Sequence, residues 1–293
     1  MRIASNKLGD LIDFFYSELS PVYSNDEIKL LVQHACEHYL GLTPADILIK
    51  KNENINQSDV IKLYDCVLAL KQNKPIQYII GEAEFYHLKF KVNSSVLIPR
   101  PETEELVEII LKDCKKADFD APNILDIGTG SGCIPVSLKK FLEDANVSAV
   151  DVSQEALITA QQNAVMNSVT IMFNRVNILT DEADYSLDNY DIIVSNPPYI
   201  AKQEAGSMHV RVKDFEPQIA LFVENNDPLI FYRRIIDLCK KHLCEGGRLY
   251  FELNPIYAND IKQIAVESNQ FDTVELLNDL SGNVRFLKAK KND

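Results

Sequence analysis

The sequence predicts an α/β protein with a mostly parallel sheet, preceded by a small helical domain. Short apolar runs and amphipathic segments alternate from Pro122 to the end of the chain. This alternation is typical of a parallel sheet with helices on both faces. Before residue 82, by contrast, apolar residues recur at helical spacing. The last two strands flank Ser281-Gly282-Asn283 and are expected to form an antiparallel hairpin at one edge of the sheet.

Residues 1–82 are predicted to be a helical bundle that serves as a recognition domain, because the segment carries no cluster of catalytic residue types. Its helices are interrupted by capping residues, proline and glycine. They are predicted at Leu8 to Leu19, closed by Pro21; between the cap at Ser24 and the stop at Gly41; and at about Ser58 to Gln72, with Val60, Ile61, Leu63, Tyr64, Val67 and Leu70 facing inward.

Residues 83–104 change to a strand-like period and are predicted to be a β-hairpin linker, with Asn93-Ser94-Ser95 as its turn. The linker leads into Pro99-Arg100-Pro101-Glu102-Thr103-Glu104. Glu102 or Thr103 is expected to cap a helix beginning near Leu106. A capping box explains the acidic residues of this run but does not explain Arg100 between two prolines.

The remaining residues, 105–293, carry the predicted sheet domain. Its strands are short apolar runs bounded by polar or glycine-rich segments. The predicted strands are Asn123 to Ile127, Val147 to Val152, Thr170 to Val176, Tyr190 to Ser195, Arg248 to Glu252, Asp272 to Leu276 and Val284 to Ala289.

The fourth of these strands ends in Asn196-Pro197-Pro198-Tyr199. The prolines fix φ and donate no hydrogen bond, and Asn196 is pushed towards extended geometry by the proline that follows it. An amide is therefore held on a stiff backbone at the carboxyl end of a strand, where open α/β sheets bind ligands. The Asn196 side-chain oxygen and the Pro197 carbonyl can accept from one planar NH2 group, with Tyr199 against its face. The alternative is an ordinary strand exit with a proline turn.

A glycine-rich turn follows the first strand in the pattern Asp126-x-Gly-x-Gly-x-Gly. It is not the dinucleotide fingerprint, whose third small residue would fall at Cys133, and no Lys-Ser/Thr follows as in a Walker loop. The glycines allow close approach of a ligand, and the acid suits a cationic one. Asp151, ending the second strand, is placed to accept from ribose hydroxyls. A cationic, ribose-bearing cofactor points to S-adenosylmethionine.

Composition restricts the possible partners. The formal net charge is −13 and the pI is about 4.9, which argues against a protein that grips long stretches of phosphate backbone. No run approaches 18 apolar residues and the start lacks a signal-peptide pattern, so we expect an intracellular protein without a membrane segment.

We predict no metal site. The six cysteines show no CxxC spacing, and His34 and His38 have no third ligand nearby.

The glycine loop, Asp151 and the Asn-Pro-Pro-Tyr run together resemble a class I methyltransferase acting on a planar nitrogen, and hence a Rossmann-like sheet. Further motifs are similar to the peptide chain release factor glutamine methyltransferase family, over essentially the whole chain. They are Pro75-Ile76-Gln77-Tyr78, Gly81-Glu82-Ala83-Glu84-Phe85-Tyr86, Leu97-Ile98-Pro99-Arg100-Pro101-Glu102-Thr103-Glu104 and Phe215-Glu216-Pro217 with Ala220-Leu221.

This resemblance implies a cytoplasmic enzyme that methylates the side-chain amide of the glutamine in the Gly-Gly-Gln loop of release factors, with no stable nucleic-acid binding. The predicted site residues are catalytic (Asn196, Pro197, Tyr199), substrate-binding (these three and Pro198) and cofactor-binding (Asp126, Ile127, Gly128, Thr129, Gly130, Asp151, Asn177, Ile178, Asn196). Asn177 and Ile178 are placed beside the adenine only by their position after the third strand.

Two alternative functions remain open at this point. A nucleic-acid amino-methyltransferase would use the same tetrapeptide, and Lys202, His209, Arg211 and Lys213 would then contact RNA rather than form a solvated loop. A non-catalytic cofactor-binding partner protein is the second, but the intact tetrapeptide and glycine loop argue against it. Whether residues 200–225 close over a substrate is also open.

Overall fold

The computed structural model describes residues 5–117, 120–201, 210–223 and 227–293. These residues form two compact units. One comprises the described residues up to Gly81 and the helix Val210–Phe215, and the other comprises the described residues from Glu82 onward apart from that helix. Within the described residues, no helix is both long and apolar enough to span a bilayer.

The first unit is helical and has its own buried core, which includes Leu11, Phe15, Ile28 and Leu63. Helix α2 begins with a capping box between Ser24 and Glu27 and ends at Gly41 in the left-handed conformation. The helices up to Gly81 are α1 Leu8–Leu19, α2 Asn25–Leu40, α3 Pro44–Ile49, α4 Gln57–Lys71 and α5 Ile76–Ile80.

Helices α1, α2 and α4 coincide with the predicted ones, whereas α3 and α5 were not predicted. The inward position predicted for Ile61 is wrong, because its side chain is 52% exposed. Val60, Leu63, Val67 and Leu70 recur every three to four residues and fill the buried face of α4. Ile61, one residue along from Val60, therefore points away from that face.

The second unit begins with a hairpin of β1 Glu82–Phe85 and β2 Leu88–Lys91. Its turn is Tyr86-His87, with φ of 45° and 62°, a two-residue turn in which both residues are left-handed. Asn93–Ser95 does form a turn, in which the Asn93 carbonyl accepts from the Val96 amide at 3.2 Å, but this turn follows β2 and does not close the hairpin as predicted.

Seven strands form the main sheet, in the order β10-β11-β9-β6-β3-β4-β5. All neighbours are parallel except that β11 is antiparallel to both β10 and β9. The predicted Rossmann-like sheet with an antiparallel edge hairpin is confirmed. The strands are β3 Asn123–Ile127, β4 Asn146–Asp151, β5 Met172–Arg175, β6 Tyr190–Ser195, β9 Leu243–Glu252, β10 Phe271–Asn278 and β11 Val284–Lys291, and a separate pair is β7 Ile200–Ala201 with β8 Phe222–Val223.

Helices cover both faces of this sheet. Successive residues of β6 alternate between two buried clusters: Ile192 and Val194 contribute to the one that contains α6 and α7, and Ile193 to the one that contains α12 and α13. The helices beyond Gly81 are α6 Pro101–Ala117, α7 Cys133–Phe141, α8 Gln154–Met166, α9 Ala183–Ser186, α10 Val210–Phe215, α11 Gln218–Leu221, α12 Ile230–His242 and α13 Ala258–Glu267.

The order of the strands reverses at β3. The chain passes from β3 to β4 and β5 on one side and then returns to β6 on the other. At such a switch point the loops after the two central strands diverge, which opens a crevice at their carboxyl ends. The glycine loop follows β3 and Asn196 follows β6, so the fold places both at this crevice.

Candidate active site

A cavity of about 490 Å³ lies at the carboxyl ends of β3 to β6. This volume is in the range of small-molecule sites. Most of the predicted site residues line it: Ile127, Gly128, Thr129, Gly130, Asp151, Asn177, Ile178, Asn196, Pro197 and Pro198. Asp126 and Tyr199 are not among the lining residues.

The glycine loop presents open backbone to this cavity. Gly128 and Gly130 have φ of +76° and +54°, and a Cβ at either would have no atom within 4 Å. The Val150 carbonyl accepts from the Gly128 and Thr129 amides at 2.9 and 3.1 Å, which holds the loop against β4. Only glycine combines this conformation with free space beside the backbone, so a ligand can approach the loop closely.

Asp151 ties the loop to the next strand. Its Oδ2 accepts from the Gly130 amide at 2.9 Å, and its Oδ1 accepts from the Ser153 amide at 2.9 Å. Burial raises the pKa of Asp151 above its ordinary value. Each carboxylate oxygen can accept more than one hydrogen bond, so Asp151 can still bind hydroxyl groups of a ligand in the cavity.

Asp126 is fully buried at the end of β3; the Thr129 hydroxyl lies close enough to lower its pKa in part, but no described residue makes a hydrogen bond of good geometry to either carboxylate oxygen. Burial raises the pKa of Asp126 to about 7. A buried carboxyl without a well-aligned donor is unfavourable unless a cationic or hydrogen-bonding group is supplied from elsewhere. Asp126 therefore suits a cationic ligand at the neighbouring loop.

The loop after β5 forms another wall. Ile178 is buried, and its carbonyl accepts from Arg234 Nε at 2.7 Å. The Asn177 Oδ1 accepts from the Leu179 amide at 3.1 Å, a local turn that fixes the side chain. The apolar side chain of Ile178 and the polar side chain of Asn177 thus lie side by side at the cavity. A heterocyclic ring bound there could pack on the first and form a hydrogen bond with the second.

Asn196 follows β6, and its Nδ2 lies 3.4 Å from Thr103 Oγ1. The Thr103 hydroxyl donates to Glu252 Oε2 at 2.7 Å. Tyr199 is half-buried and packs against the cluster that contains α12, and burial raises the pKa of its hydroxyl. The structure therefore brings Asn196, Pro197 and Pro198 to the cavity, whereas Tyr199 contacts the core.

Sequence reasoning missed the roles of Thr103, Glu252, Arg100 and Glu216. Helix α6 begins at Pro101, earlier than predicted, so Thr103 lies inside its first turn instead of capping it. Arg100 lines the cavity and its Nη2 lies 2.6 Å from Oε1 of the buried Glu216. The sequence signal for these residues was the Pro-Arg-Pro-Glu-Thr-Glu run, because a capping box does not explain its arginine.

Of the cationic residues after Tyr199, Lys202 and His209 lie outside the described residues. Arg211 packs within the helical unit, with its guanidinium 4.0 Å from the centre of the Tyr23 ring and 3.3 Å from Glu27 Oε1. Lys213 is exposed. Arg211 and Lys213 therefore belong to α10 and not to the expected solvated loop, and Arg211 contacts residues of the helical unit.

Comparisons with known proteins identify the family of the chain. The family described as Methyltransferase small domain matches residues 103–213, and the one described as PrmC N-terminal domain matches residues 13–81. The catalytic domain of hMettl16, solved in complex with an RNA hairpin, shares the fold with a TM-score of 0.56 and 17% identity, over 93% of this chain and 92% of that one.

Two curated relatives match almost the whole chain, and both are named release factor glutamine methyltransferase. The protein from Flavobacterium psychrophilum is 43% identical over 94% of this chain and 96% of its own length. That from Bacteroides thetaiotaomicron is 41% identical over 95% of this chain and 98% of its own length. The chain belongs to the release factor glutamine methyltransferase family.

Proposed function

We propose that this protein transfers a methyl group from S-adenosylmethionine to the N5 amide nitrogen of the glutamine in the Gly-Gly-Gln loop of peptide chain release factors. The observation that carries this proposal is the Asn196 amide at the wall of a cavity that also contains the glycine loop and Asp151. Relatives with this name that span nearly the whole chain support it. Because release factors act on ribosomes, we place the protein in the cytoplasm.

The residues of the cavity fit this methyl donor. Asp126 offers a buried carboxyl that lacks a well-aligned donor within the described residues, and the space beside Gly128 and Gly130 admits a ligand against the backbone. Asp151 would hold the ribose hydroxyls, and Asn177 with Ile178 would contact the adenine. Ile127, Thr129 and Asn196 would complete the contacts. When bound, the cofactor supplies an electrophilic methyl group on a sulfonium.

The protein's residues would promote methyl transfer by orienting the glutamine amide nitrogen that accepts the methyl group. A glutamine amide nitrogen is a weak nucleophile, because its lone pair is delocalised into the carbonyl. The Asn196 side-chain oxygen and the Pro197 carbonyl would accept from its two N–H groups, and these hydrogen bonds strengthen as positive charge develops on the nitrogen. Pro197 and Pro198 fix the backbone that carries both acceptors. Holding the reactants in contact accounts for several kcal/mol of the barrier reduction.

No side-chain base is needed before transfer, because the proton becomes acidic once the nitrogen is alkylated. We predict that Tyr199 packs on the plane of the substrate amide. In the structure its side chain packs against the core and does not line the cavity. We further propose that residues 1–82 form the domain that recognises the release factor, 83–104 the linker and 105–293 the methyltransferase domain.

The test is transfer of a tritiated methyl group from S-adenosylmethionine to purified release factor, beside the same factor with its loop glutamine replaced. We expect label only where the glutamine is present. If the label appeared on ribosomal RNA or DNA instead, the protein would be a nucleic-acid methyltransferase. Cofactor binding without transfer to any acceptor would support the non-catalytic protein.

Asn196→Ala should lose most turnover, on the order of 100-fold or more, because one of two acceptors is removed. Cofactor affinity should change little, because Asn196 supplies only one of the many cofactor contacts. The matched control is Asn174→Ala, at an exposed asparagine of β5 that does not line the cavity. If Asn196→Ala turned over as fast as this control, Asn196 would not be a catalytic residue.

A further inference from the structure

The sheet places three side chains from distant parts of the sequence together at the cavity wall. Ser195 pairs with Phe251 in the parallel register of β6 and β9, so the next residues, Asn196 and Glu252, lie beside each other at the ends of these strands. Thr103 reaches the same point from the first turn of α6. Thr103 and Glu252 are each 3% exposed, and Thr103 also lines the cavity.

The hydrogen bonds of these side chains have a fixed direction. A hydroxyl has one proton, and Thr103 donates it to Glu252 Oε2 at 2.7 Å. Towards Asn196, Thr103 can therefore only accept, and the atom that it contacts at 3.4 Å is Nδ2. If the amide were rotated by half a turn, Oδ1 would face lone pairs and lose this hydrogen bond.

We propose that Thr103 and Glu252 are positioning residues, which hold the Asn196 amide so that its Oδ1 accepts from the substrate amide. The inference rests on the proposed function, since it concerns the same methyl transfer. An asparagine amide has two orientations of nearly equal shape, and only one presents an acceptor to an incoming NH2 group. The Thr103–Glu252 pair selects that orientation before the substrate arrives.

The surroundings of Glu252 make this selection sensitive to pH. Its carboxyl faces Arg285 of β11, Glu102 of α6, Cys133 of α7, Tyr199 after β6 and Tyr232 of α12, and a hydrogen bond from the Asn196 side chain also acts to lower its pKa. Burial raises its pKa to about 7. A protonated Glu252 can itself donate to Thr103, which releases the Thr103 proton for Asn196 Oδ1 and favours the unproductive orientation.

The test is a set of substitutions in the full-length protein, assayed at saturating cofactor with the release factor varied. Thr103→Val removes the hydroxyl with little change of shape, and Thr103→Ser keeps it. We expect Thr103→Val to lower kcat about 10- to 100-fold, because the hydrogen bond that fixes the Asn196 amide is lost. Thr103→Ser keeps the hydroxyl and should retain kcat to within about threefold of the parent.

The matched control is Thr159→Val, at a threonine of α8 that is also 3% exposed and does not line the cavity. It measures the effect of placing valine at a buried threonine. A fall in kcat for Thr159→Val as large as that for Thr103→Val would overturn the proposal. So would equal impairment of Thr103→Ser and Thr103→Val, because the hydroxyl would then not be the cause.

A double-mutant cycle shows whether Thr103 acts through Asn196. In an Asn196→Ala background there is no amide to orient, so Thr103→Val should have no further effect. An additional fall of the same factor would contradict the inference. In the free protein, the side-chain NH2 resonances of Asn196 should move in Thr103→Val and stay in place in Thr103→Ser, a readout that needs no turnover.

The pH profile tests Glu252 separately. In the parent, kcat should rise with pH through about 7 as Glu252 ionises, and Glu252→Gln should abolish this rise. An unchanged profile in Glu252→Gln would overturn the role of Glu252. A parent that does not label the release factor at all would instead refute the proposed function, so the two failures are distinguishable.

Discussion

The buried carboxyl of Asp126 illustrates how one residue can favour function over stability. Its pKa is raised by burial from an ordinary value of 3.8 to about 7. Between these pH values the folded protein holds a proton that the unfolded chain has lost, so this group makes the free energy of unfolding fall as pH rises from about 4 to about 7. The loss persists above pH 7, where the ionised carboxylate has only the poorly aligned Thr129 hydroxyl beside it among the described residues.

Asp126→Asn should therefore stabilise the protein without cofactor above pH 7, by an amount on the order of 2–4 kcal/mol, since one pKa unit corresponds to about 1.4 kcal/mol. The gain should vanish towards pH 4. The same variant should bind S-adenosylmethionine at least about tenfold more weakly, because the negative charge is lost. Urea unfolding followed by circular dichroism suits a chain without tryptophan. Asp144→Asn, at an exposed loop position, is the control.

A free energy of unfolding for Asp126→Asn that runs parallel to that of the parent across this pH range would contradict the interpretation. Asp126 would then have to be paired in the folded protein.

Individual site residues were predictable where the chemistry is local. The Asn-Pro-Pro-Tyr run and the glycine loop carry their conformation in their own sequence, and the structure places most of them at one cavity. Thr103 and Glu252 were not predictable in this way, because they lie 149 residues apart and meet only when α6 packs against the end of β9. Local patterning assigned Thr103 to a helix cap and Glu252 to a strand end.

At the scale of elements, the turn after β3 depends on glycine for two separate reasons. Gly128 has φ of +76°, a region that costs other residues about 1–2 kcal/mol, and the space beside it belongs to the cavity. Gly282, in the turn between β10 and β11, has φ of +86° and equally free surroundings, but it does not line the cavity. Both glycines therefore have a backbone conformation that other residues adopt only at a cost, but only Gly128 lies at the cavity.

Gly128→Ala and Gly282→Ala should lower the free energy of unfolding by similar amounts, about 1–2 kcal/mol each. Only Gly128→Ala should weaken the binding of S-adenosylmethionine, by at least about tenfold, or 1.4 kcal/mol. Calorimetry measures the binding and thermal unfolding the stability. Equal cofactor affinity in the two variants would show that the space beside Gly128 is not used by the ligand.

Elements with a long periodic pattern were predicted well, and short ones were not. The main sheet and helices α1, α2 and α4 follow from apolar periodicity and end signals. Helices α3 and α5 have six and five residues, too few for a period to show. The hairpin turn was misplaced because Tyr86-His87 lacks the glycine or asparagine that usually marks left-handed positions, whereas Asn93–Ser95 has the composition of a turn.

At the scale of the whole molecule, the two units have separate buried cores, and the predicted roles are separate too. The core that includes Leu63 lies in the helical unit, and the residues that line the cavity all belong to the sheet unit. If the helical unit recognises the release factor, damage to its core should change the use of the protein substrate and leave the cofactor site intact.

Leu63→Ala tests this division of labour. The side chain is 1% exposed, and its removal should lower the free energy of unfolding of the helical unit by about 2–5 kcal/mol. We expect the dissociation constant of S-adenosylmethionine to stay within about twofold of the parent, while the KM for release factor rises. Ile61→Ala, on the exposed face of the same helix, should change stability by less than about 0.5 kcal/mol.

Two results would refute the predicted division. If Leu63→Ala weakened cofactor binding as much as it destabilised the helical unit, the cofactor site would depend on that unit's core. If circular dichroism showed loss of helix while the KM for release factor stayed unchanged, residues 1–82 would not recognise the substrate. Recognition would then have to reside in the sheet unit, to which the described residues that line the cavity all belong.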